Sequence, residues 1–330
     1  MIKLTVAIPT YNRNEVLFRT VRDLLPQLTP ECRLVILDNH STVPVEETLR
    51  PLLAEHHHQE CTIIRNAVNV GGSANVLRCF EICTTEWIWA LGDDDTLAPD
   101  AIATLLDTIA THPDLTYANF ASEIQPRTRT FMTEGLEQFV RDLDHFGNAM
   151  FISSSLYNCP KVQPRLNQAY HYSYTSGPQM VMLMMSLGEN GRCLFSSKRI
   201  VGWQEKDQEQ QSSMVVATIG LPTILELPLS DSVRRSLARA FVHAFFGLRP
   251  AARELYYTAR ITGDFARARL LYDQLTYRLY YFERGPRSWL RIKFYRLALM
   301  FPRAFGLVNV WSARLTGRKI RKHSAVRRTE

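Results

Sequence analysis

Three consecutive carboxylates, Asp93-Asp94-Asp95, follow the short apolar run Trp87-Ile88-Trp89-Ala90-Leu91-Gly92. The run reads as a buried strand, so it delivers three acids to the end of a core element. Adjacent carboxylates repel, and keeping them ionised there needs water or a cation. A hard divalent ion, Mg²⁺ or Mn²⁺, is the simplest compensator, because it prefers carboxylate oxygen and keeps positions open for substrate phosphates. In an extended segment Asp93 and Asp95 project to one side and Asp94 to the other, so Asp93 and Asp95 are the expected metal pair. The competing reading is a solvated acidic turn before the helix that Pro99 opens, where acids suit the helix N-terminus.

The elements that must carry these acids alternate regularly. Lys3 to Pro9 is β-rich and ends in Thr10-Tyr11-Asn12-Arg13; Val16, Leu17, Thr20, Val21, Leu24 and Leu25 then fall at helical spacing. Arg33 to Leu37 is the next strand, closing on Asp38-Asn39-His40-Ser41, and a helix from Glu46 to about His56 follows. A third strand runs from Cys61 to Arg65, and Asn69-Val70-Gly71-Gly72-Ser73-Ala74-Asn75 turns into a helix that reaches about Cys83. After the acidic strand, a helix from Pro99 to His112 leads to a fifth strand, Leu115 to Phe120. This alternation implies an α/β fold with a mostly parallel sheet flanked by helices, in which ligands sit beyond the carboxyl ends of the strands. The polar clusters fall at those ends, and four of them converging on one edge say more than any one alone.

With Val6-Ala7-Ile8-Pro9-Thr10-Tyr11-Asn12-Arg13, Leu37-Asp38-Asn39-His40-Ser41-Thr42, Asn69 to Asn75 and Trp87 to Asp95 in this order, the chain resembles a family 2 glycosyltransferase of the GT-A (Rossmann-like) fold. The likeness is to the bacterial branch that builds O-antigen and capsule, with its abequosyltransferase-like members, and it covers about the first 120 residues. The resemblance implies a nucleotide-sugar donor held by Pro9, Thr10, Tyr11, Asp38, Asn39, Asn69, Gly72, Asn75, Asp93 and Asp94. Thr10 and Tyr11 contact the base, Asp38 or Asn39 reads it, and Asp94 meets the ribose or assists the metal that Asp95 coordinates. It also implies inversion at the anomeric carbon, with a divalent metal on the diphosphate. Each residue has a plainer role open to it: Tyr11 as a staple on the following helix, Asp38 as a turn-forming side chain, Gly71-Gly72 as an ordinary loop pair.

The general base is harder to locate. Relatives place an acid at a helix start about 80 residues past the metal motif, where this chain reads Tyr170-His171-Tyr172-Ser173-Tyr174-Thr175-Ser176-Gly177-Pro178-Gln179. His171 is the expected substitute, since an unperturbed imidazole titrates near pH ~6.5; Glu205 and Asp207 are alternatives on a loop. Tyr170, Tyr172 and Tyr174 alternate as they would on one face of a strand or loop, where sugars stack on such rings. Met180, Met182, Met184 and Met185 read as helical core.

At 330 residues and 46% hydrophobic content the chain can bury a large core. It has no uninterrupted run of about 18 apolar residues, and the expectation is no membrane span and no secretory leader. Six cysteines without a C-x-x-C pair are expected to be reduced thiols, and His56-His57-His58 a solvated turn. Charge is uneven: between Arg287 and Glu330 there are twelve Lys/Arg and one acid, +11, while the whole chain carries +7. That end mixes cations with aromatics, which suits an interfacial helix on an anionic membrane.

The expected organisation is therefore residues 1–125 as the nucleotide-sugar half of a GT-A domain, 126–225 as its acceptor half, and 226–330 as a helical, basic, membrane-associating region. The expected activity is metal-dependent glycosyl transfer to a glycan, lipid-linked at the inner face of the cell membrane, by a cytoplasmic, peripheral enzyme. A nucleotidyltransferase would want a glycine-rich phosphate loop that Thr10-Tyr11-Asn12-Arg13 is not. An inactive relative that binds a nucleotide sugar or scaffolds an assembly complex is the alternative, kept open by the missing acid near Gly177. Nucleic acid is set aside as a partner, because the sheet-edge clusters already suit a nucleotide sugar.

Overall fold

The computed structural model describes residues 2–55, 60–143, 145–202, 220–244, 248–280 and 286–301. It divides into two compact units, Met1–Phe245 and Phe246–Glu330. His56-His57-His58, Glu205, Asp207 and the basic end from Pro302 onward lie outside the described residues.

The first unit begins with β1 (Leu4–Thr10), α1 (Asn14–Leu24), β2 (Cys32–Asp38), α2 (Val45–Ala54), β3 (Cys61–Arg65), α3 (Gly72–Glu81) and β4 (Trp87–Ala90). It continues through β5 (Thr96–Leu97), α4 (Ala101–Thr111), β6 (Tyr117–Phe120), β7 (Phe131–Glu134), α5 (Gly135–Asp142) and α6 (Phe146–Met150). It closes with β8 (Ser155–Asn158), α7 (Cys159–Val162), α8 (Leu166–His171), α9 (Pro178–Leu187), β9 (Arg192–Ser196), β10 (Val201–Gly202) and α10 (Asp231–Ala244). Eight strands form one sheet in the order β3-β2-β1-β4-β8-β6-β9-β7, and β5 pairs with β10 in a separate ribbon.

The apolar strands are buried on both faces, as a parallel sheet covered by helices requires. Leu4, Val6 and Ile8 join Trp87 and Trp89 in a core shared with Leu17, Val21 and Leu24 of α1, Leu49 of α2 and Ile102 and Leu105 of α4. On α3, Leu77 and Phe80 are fully buried, and the Phe80 ring meets Tyr157 of β8 edge-on at 5.0 Å. Of the four α9 methionines expected in the core, Met180, Met182 and Met184 are buried and Met185 is half-buried. All six cysteines are free thiols and five are buried.

The four neighbours β3-β2-β1-β4 are parallel, and so is β6 with β9. The sequence pattern does not disclose β8, which enters between β4 and β6 and runs antiparallel to both. Its start, not its end, therefore lies at the carboxyl edge of β4. The tyrosine alternation also resolves differently from a strand. Tyr170 sits in α8, and Tyr172, between α8 and the 3₁₀ turn Ser173–Thr175, stacks its ring on Tyr174 of that turn at 6.2 Å.

The second unit holds α11 (Leu248–Thr262), α12 (Phe265–Tyr280) and α13 (Pro286–Met300), so the helical C-terminal region read from the sequence is present. No helix among the described residues is long and apolar enough to cross a membrane.

Backbone conformation separates the two glycines that open α3. Gly71 has φ +86° and ψ 152°, a region essentially reserved for glycine, whereas a Cβ on Gly72 would meet nothing within 4 Å. In urea denaturation Gly71→Ala should lower the unfolding free energy by about 1–3 kcal/mol, and Gly72→Ala should leave it within about 0.5 kcal/mol.

Candidate active site

Each of the first four strands ends in a polar loop at the same edge, and hydrogen bonds tie the loops together. The Asn39 amide donates to the Thr10 carbonyl at 2.9 Å and the Asn66 amide to the Asp38 carbonyl at 2.8 Å, extending the ladders one step past the strands. Asn12, with φ 54°, donates its amide N–H to Ser41 Oγ at 2.9 Å while its own Oδ1 accepts from the Thr42 amide at 2.7 Å. His40 follows β2 with φ 66°. Two non-glycine residues in the left-handed region thus sit side by side at this edge, where strain of that kind concentrates at functional sites.

The aspartates are held by three segments. Asp93 accepts Thr10 Oγ1 on Oδ2 at 2.7 Å and Arg13 Nη1 on Oδ1 at 2.7 Å, and Thr20 Oγ1 donates to its carbonyl at 2.8 Å. Asp94 Oδ2 takes Arg13 Nη2 at 2.6 Å. Asp95 Oδ2 accepts Ser153 Oγ at 2.5 Å. Burial works against the Arg13 charge, but the bond to Asp94 and the field of Asp93, Asp94 and Asp95 outweigh it and hold the guanidinium pKa above its ordinary value. Part of the compensation that the acid triad demands is therefore supplied from within the chain.

A second cluster is built of amides. Asn39 Nδ2 donates to Asn69 Oδ1 at 2.7 Å, and Asn66 Nδ2 reaches Asn39 Oδ1 at 3.0 Å and Asn75 Oδ1 at 2.8 Å. Asn75 Nδ2 caps the Leu37 carbonyl at 3.1 Å. Asp38, 1% exposed, is a turn former: it accepts the Ser41 amide at 2.8 Å, the Val45 amide at 3.5 Å and Arg65 Nη1 at 2.6 Å. Burial pushes its carboxyl up, yet these bonds prevail and its pKa lies below the usual carboxylate range. Tyr11 is 43% exposed, with its ring presented at the edge rather than packed away.

The structure thus gathers Pro9, Thr10, Tyr11, Asp38, Asn39, Asn69, Gly72, Asn75 and Asp93 to Asp95 along one edge of the sheet. His171 stands apart in this respect, exposed as the last residue of α8. Sequence reasoning assigned no role to Arg13, Thr20, Arg65 or Ser153. Arg13 carried a signal, a cation in a loop bound for the acidic edge. Ser153, distant in sequence and hidden in the run Ser153-Ser154-Ser155, carried none.

The donor set suits a hard divalent cation, since Asp94 and Asp95 offer carboxylate oxygen and such ions bind through one or two carboxylates plus substrate phosphates. Both oxygens of Asp93 are engaged by Thr10 and Arg13, and Oδ2 of Asp95 is engaged by Ser153. Among the described residues no group of three or more His, Cys, Asp or Glu is arranged to hold a metal.

Comparison with known proteins gives a consistent picture. Residues 5–187 match the model of glycosyl transferase family 2. The abequosyltransferase RfbV of Salmonella typhimurium LT2 is 26% identical over 271 residues, spanning 75% of this chain and 81% of that protein. The putative colanic acid biosynthesis glycosyl transferase WcaA of Escherichia coli K12 is 27% identical over 119 residues, 35% of this chain and 42% of its own length. Among solved structures, S. aureus TarS 1-349 in complex with UDP-GlcNAc matches with a TM-score of 0.60 at 16% identity, with 92% of each chain covered. The mannosyltransferase PcManGT of Pyrobaculum calidifontis, in complex with GDP-Man and Mn²⁺, gives 0.51 at 16% identity over 91% and 86% of the two chains. Both establish the fold, which is the GT-A architecture expected from the sequence.

The Arg13 bridge sets a stability test. Truncating one partner of a buried pair costs about 3–5 kcal/mol, and the guanidinium here is 27% exposed, so Arg13→Gln should cost about 2–3 kcal/mol in urea unfolding at pH 7.

Proposed function

Because this chain belongs to glycosyl transferase family 2, and its reaction is therefore the transfer of a glycosyl group, we propose that it moves a hexosyl or deoxyhexosyl group, with inversion, from a nucleoside-diphosphate donor to a glycan of bacterial surface polysaccharide. The observation that carries the reading is the convergence of Asp93, Asp94 and Asp95 with Thr10 and Arg13 on an edge where the Tyr11 ring is exposed. Its similarity to an abequosyltransferase and to a putative colanic acid glycosyl transferase supports the choice of acceptor.

In this reading the base stacks against Tyr11 and meets the amide cluster of Asn39, Asn69 and Asn75 beside Asp38. Gly72 leaves the start of α3 open to a close backbone approach, because no Cβ stands there and no protein atom fills the space. Asp93, fixed by Thr10 and Arg13, and Asp94 face the ribose and the sugar; Asp95 faces the diphosphate. Mg²⁺ or Mn²⁺, when bound beside Asp95, supplies positive charge to the departing diphosphate. An acceptor hydroxyl attacks the anomeric carbon from the face opposite the leaving group, through an oxocarbenium-like state. His171 is the proposed acceptor of its proton, with Glu205 and Asp207, outside the described residues, as alternatives. The stack of half-buried Tyr172 on exposed Tyr174, next to His171, is a fitting platform for acceptor sugar rings.

The acceptor is proposed to be lipid-linked and the enzyme to work in the cytoplasm at the inner face of the membrane, held there by its C-terminal region. Support comes from α13, which is apolar on two sides. One side packs within its own unit: Leu299 is buried, the Ile292 carbonyl accepts Tyr272 Oη at 3.2 Å, and Arg296 pairs with Asp273 at 2.7 Å. On the other side Leu290, Phe294, Leu297 and Phe301 recur at helical spacing and are all more than half exposed, with Trp289 and Met300 beside them. Lys293 lies 5.8 Å over the Trp289 ring, the posture of a cation that keeps its stem in an apolar layer and its charge in the headgroups.

Calorimetric titration of UDP, GDP, CDP and dTDP, with and without Mn²⁺, tests the donor site. One nucleotide should bind with a metal-dependent gain of about tenfold or more that Asp95→Asn removes; no metal-dependent binding to any of the four would sink the reading. In vesicle co-sedimentation the chain should partition onto phosphatidylglycerol-containing vesicles and not onto pure phosphatidylcholine. The Phe294→Ser/Leu297→Ser variant should lose about tenfold or more of that partitioning while keeping nucleotide affinity; equal binding by the variant rules out α13 as the anchor.

A further inference from the structure

Because β8 runs antiparallel to β4, the turn that precedes it, Ile152–Ser154, comes over the end of β4 where the aspartates stand. Ser153 is fully buried there and bonded at two atoms. Its carbonyl accepts Trp89 Nε1–H at 2.8 Å, and its Oγ accepts the Gly92 amide at 2.7 Å while donating to Asp95 Oδ2 at 2.5 Å. A serine hydroxyl has one proton to give. With the Gly92 N–H bonded to the oxygen, that proton is directed at the Asp95 carboxylate, in the short, charge-assisted class of hydrogen bond.

Gly92 completes the arrangement. A Cβ at that position would lie 2.4 Å from Asp95 Oδ2 and 3.3 Å from Ser153 Oγ. Only glycine lets the carboxylate fold back over the chain to reach the serine. Behind Ser153 a buried polar network fixes the turn. Ser154 Oγ donates to the Asn148 carbonyl at 2.8 Å, Asn148 Nδ2 to Asn119 Oδ1 at 2.7 Å, and Asn119 Nδ2 to the Ser154 carbonyl at 3.3 Å. Arg127 Nη2 closes the set on Asn119 Oδ1 at 2.5 Å.

From this geometry we infer that Ser153 is the positioning residue of Asp95: its hydroxyl sets the direction in which Asp95 presents its carboxylate to the donor diphosphate and the accompanying cation. The inference rests on the reading of Asp95 given above. Ser153 Oγ reaches the motif at the Gly92 amide and at Asp95, and through Asp95 the later, acceptor-side part of the domain steers a ligand on the donor side. Groups that orient a metal-binding carboxylate in this way set metal affinity more than overall nucleotide affinity.

The test is calorimetry on the full chain, with the nucleoside diphosphate that binds best and with Mn²⁺, for wild type, Ser153→Ala and Ser153→Thr. Ser153→Ala should keep its metal-free nucleotide affinity within about twofold and lose about 10–100-fold of the Mn²⁺-dependent gain. Ser153→Thr, which retains the hydroxyl, should recover the gain to within about threefold. A Ser153→Ala protein that responds to Mn²⁺ as wild type does overturns the inference. Equal losses with and without Mn²⁺, or no recovery by threonine, overturn it too, because those are the marks of a merely structural role. Should Ser153→Ala not fold, Ser153→Cys, close in shape and a weak donor, takes its place with the same outcomes. A wild-type chain with no Mn²⁺ gain overturns the reading of Asp95 and the inference together, whereas a normal gain untouched at Ser153 overturns the inference alone.

Discussion

Repulsion among three adjacent carboxylates at the end of a buried strand is the constraint around which the catalytic edge is built. The acids are met from separate parts of the chain: Asp93 by Thr10 and Arg13, Asp94 by Arg13 as well, Asp95 by Ser153. Since Thr10 ends β1, Arg13 precedes α1 and Ser153 precedes β8, the acids lock together three elements remote in sequence. A guanidinium suits the place better than an ammonium would, because its planar fork gives one nitrogen to each of two carboxylates. The chain thereby keeps a strongly negative cluster folded while giving each of its members a different set of partners.

The amide cluster solves a different problem at the same edge. Four loops must be held in register next to a surplus of negative charge, and further acids would add to the repulsion while further cations would compete with Arg13. Asparagine offers a donor and an acceptor without net charge. Asn39, Asn66, Asn69 and Asn75 therefore tie the ends of β2 and β3 to the start of α3 by neutral bonds, and Asp38, the one carboxylate among them, is neutralised by Arg65. The edge is thereby divided into a charged part around Asp93, Asp94 and Asp95 and a neutral part around the asparagines; on the proposed reading a cation at the charged part offsets its repulsion of the donor phosphates and the neutral part takes the base.

Local pattern made the first half of the domain legible. Strands such as Leu4–Thr10 are short, apolar and buried on both faces, helices such as α1 repeat their buried residues at helical spacing, and polar clusters mark the strand ends. What stayed hidden depends on contacts between distant segments. β8 is only Ser155–Asn158, with no alternation to announce it, and its antiparallel entry beside β4 follows from pairing that no local rule contains. Ser153 was illegible for the same reason, since its role arises only once that strand is inserted. Arg13 is the intermediate case: its position in the Thr10-Tyr11-Asn12-Arg13 loop was evident, its two partners were not. The tyrosine alternation resolves as a helix end and a turn: Tyr170 lies in α8 and Tyr174 in the turn Ser173–Thr175, and it is local packing, not period two, that stacks Tyr172 on Tyr174.

The low apparent amphipathicity of α13 has a similar origin. Cations at Arg291, Lys293 and Arg296 punctuate its sequence, and apolar residues occur on both its sides, so no single polar face emerges from the pattern. The structure separates the two apolar stripes by giving one to α11 and α12 and leaving Leu290, Phe294, Leu297 and Phe301 exposed. A soluble three-helix unit gains nothing from such a stripe, which keeps large apolar side chains in water at roughly 25 cal/mol per Å². On the proposed reading the cost is recovered where the stripe meets an apolar layer, and the cations along it favour one bordered by negative charge. An enzyme whose acceptor is anchored in a bilayer has a use for that arrangement, because confinement to the same surface raises the effective concentration of acceptor without any further contact at the catalytic edge.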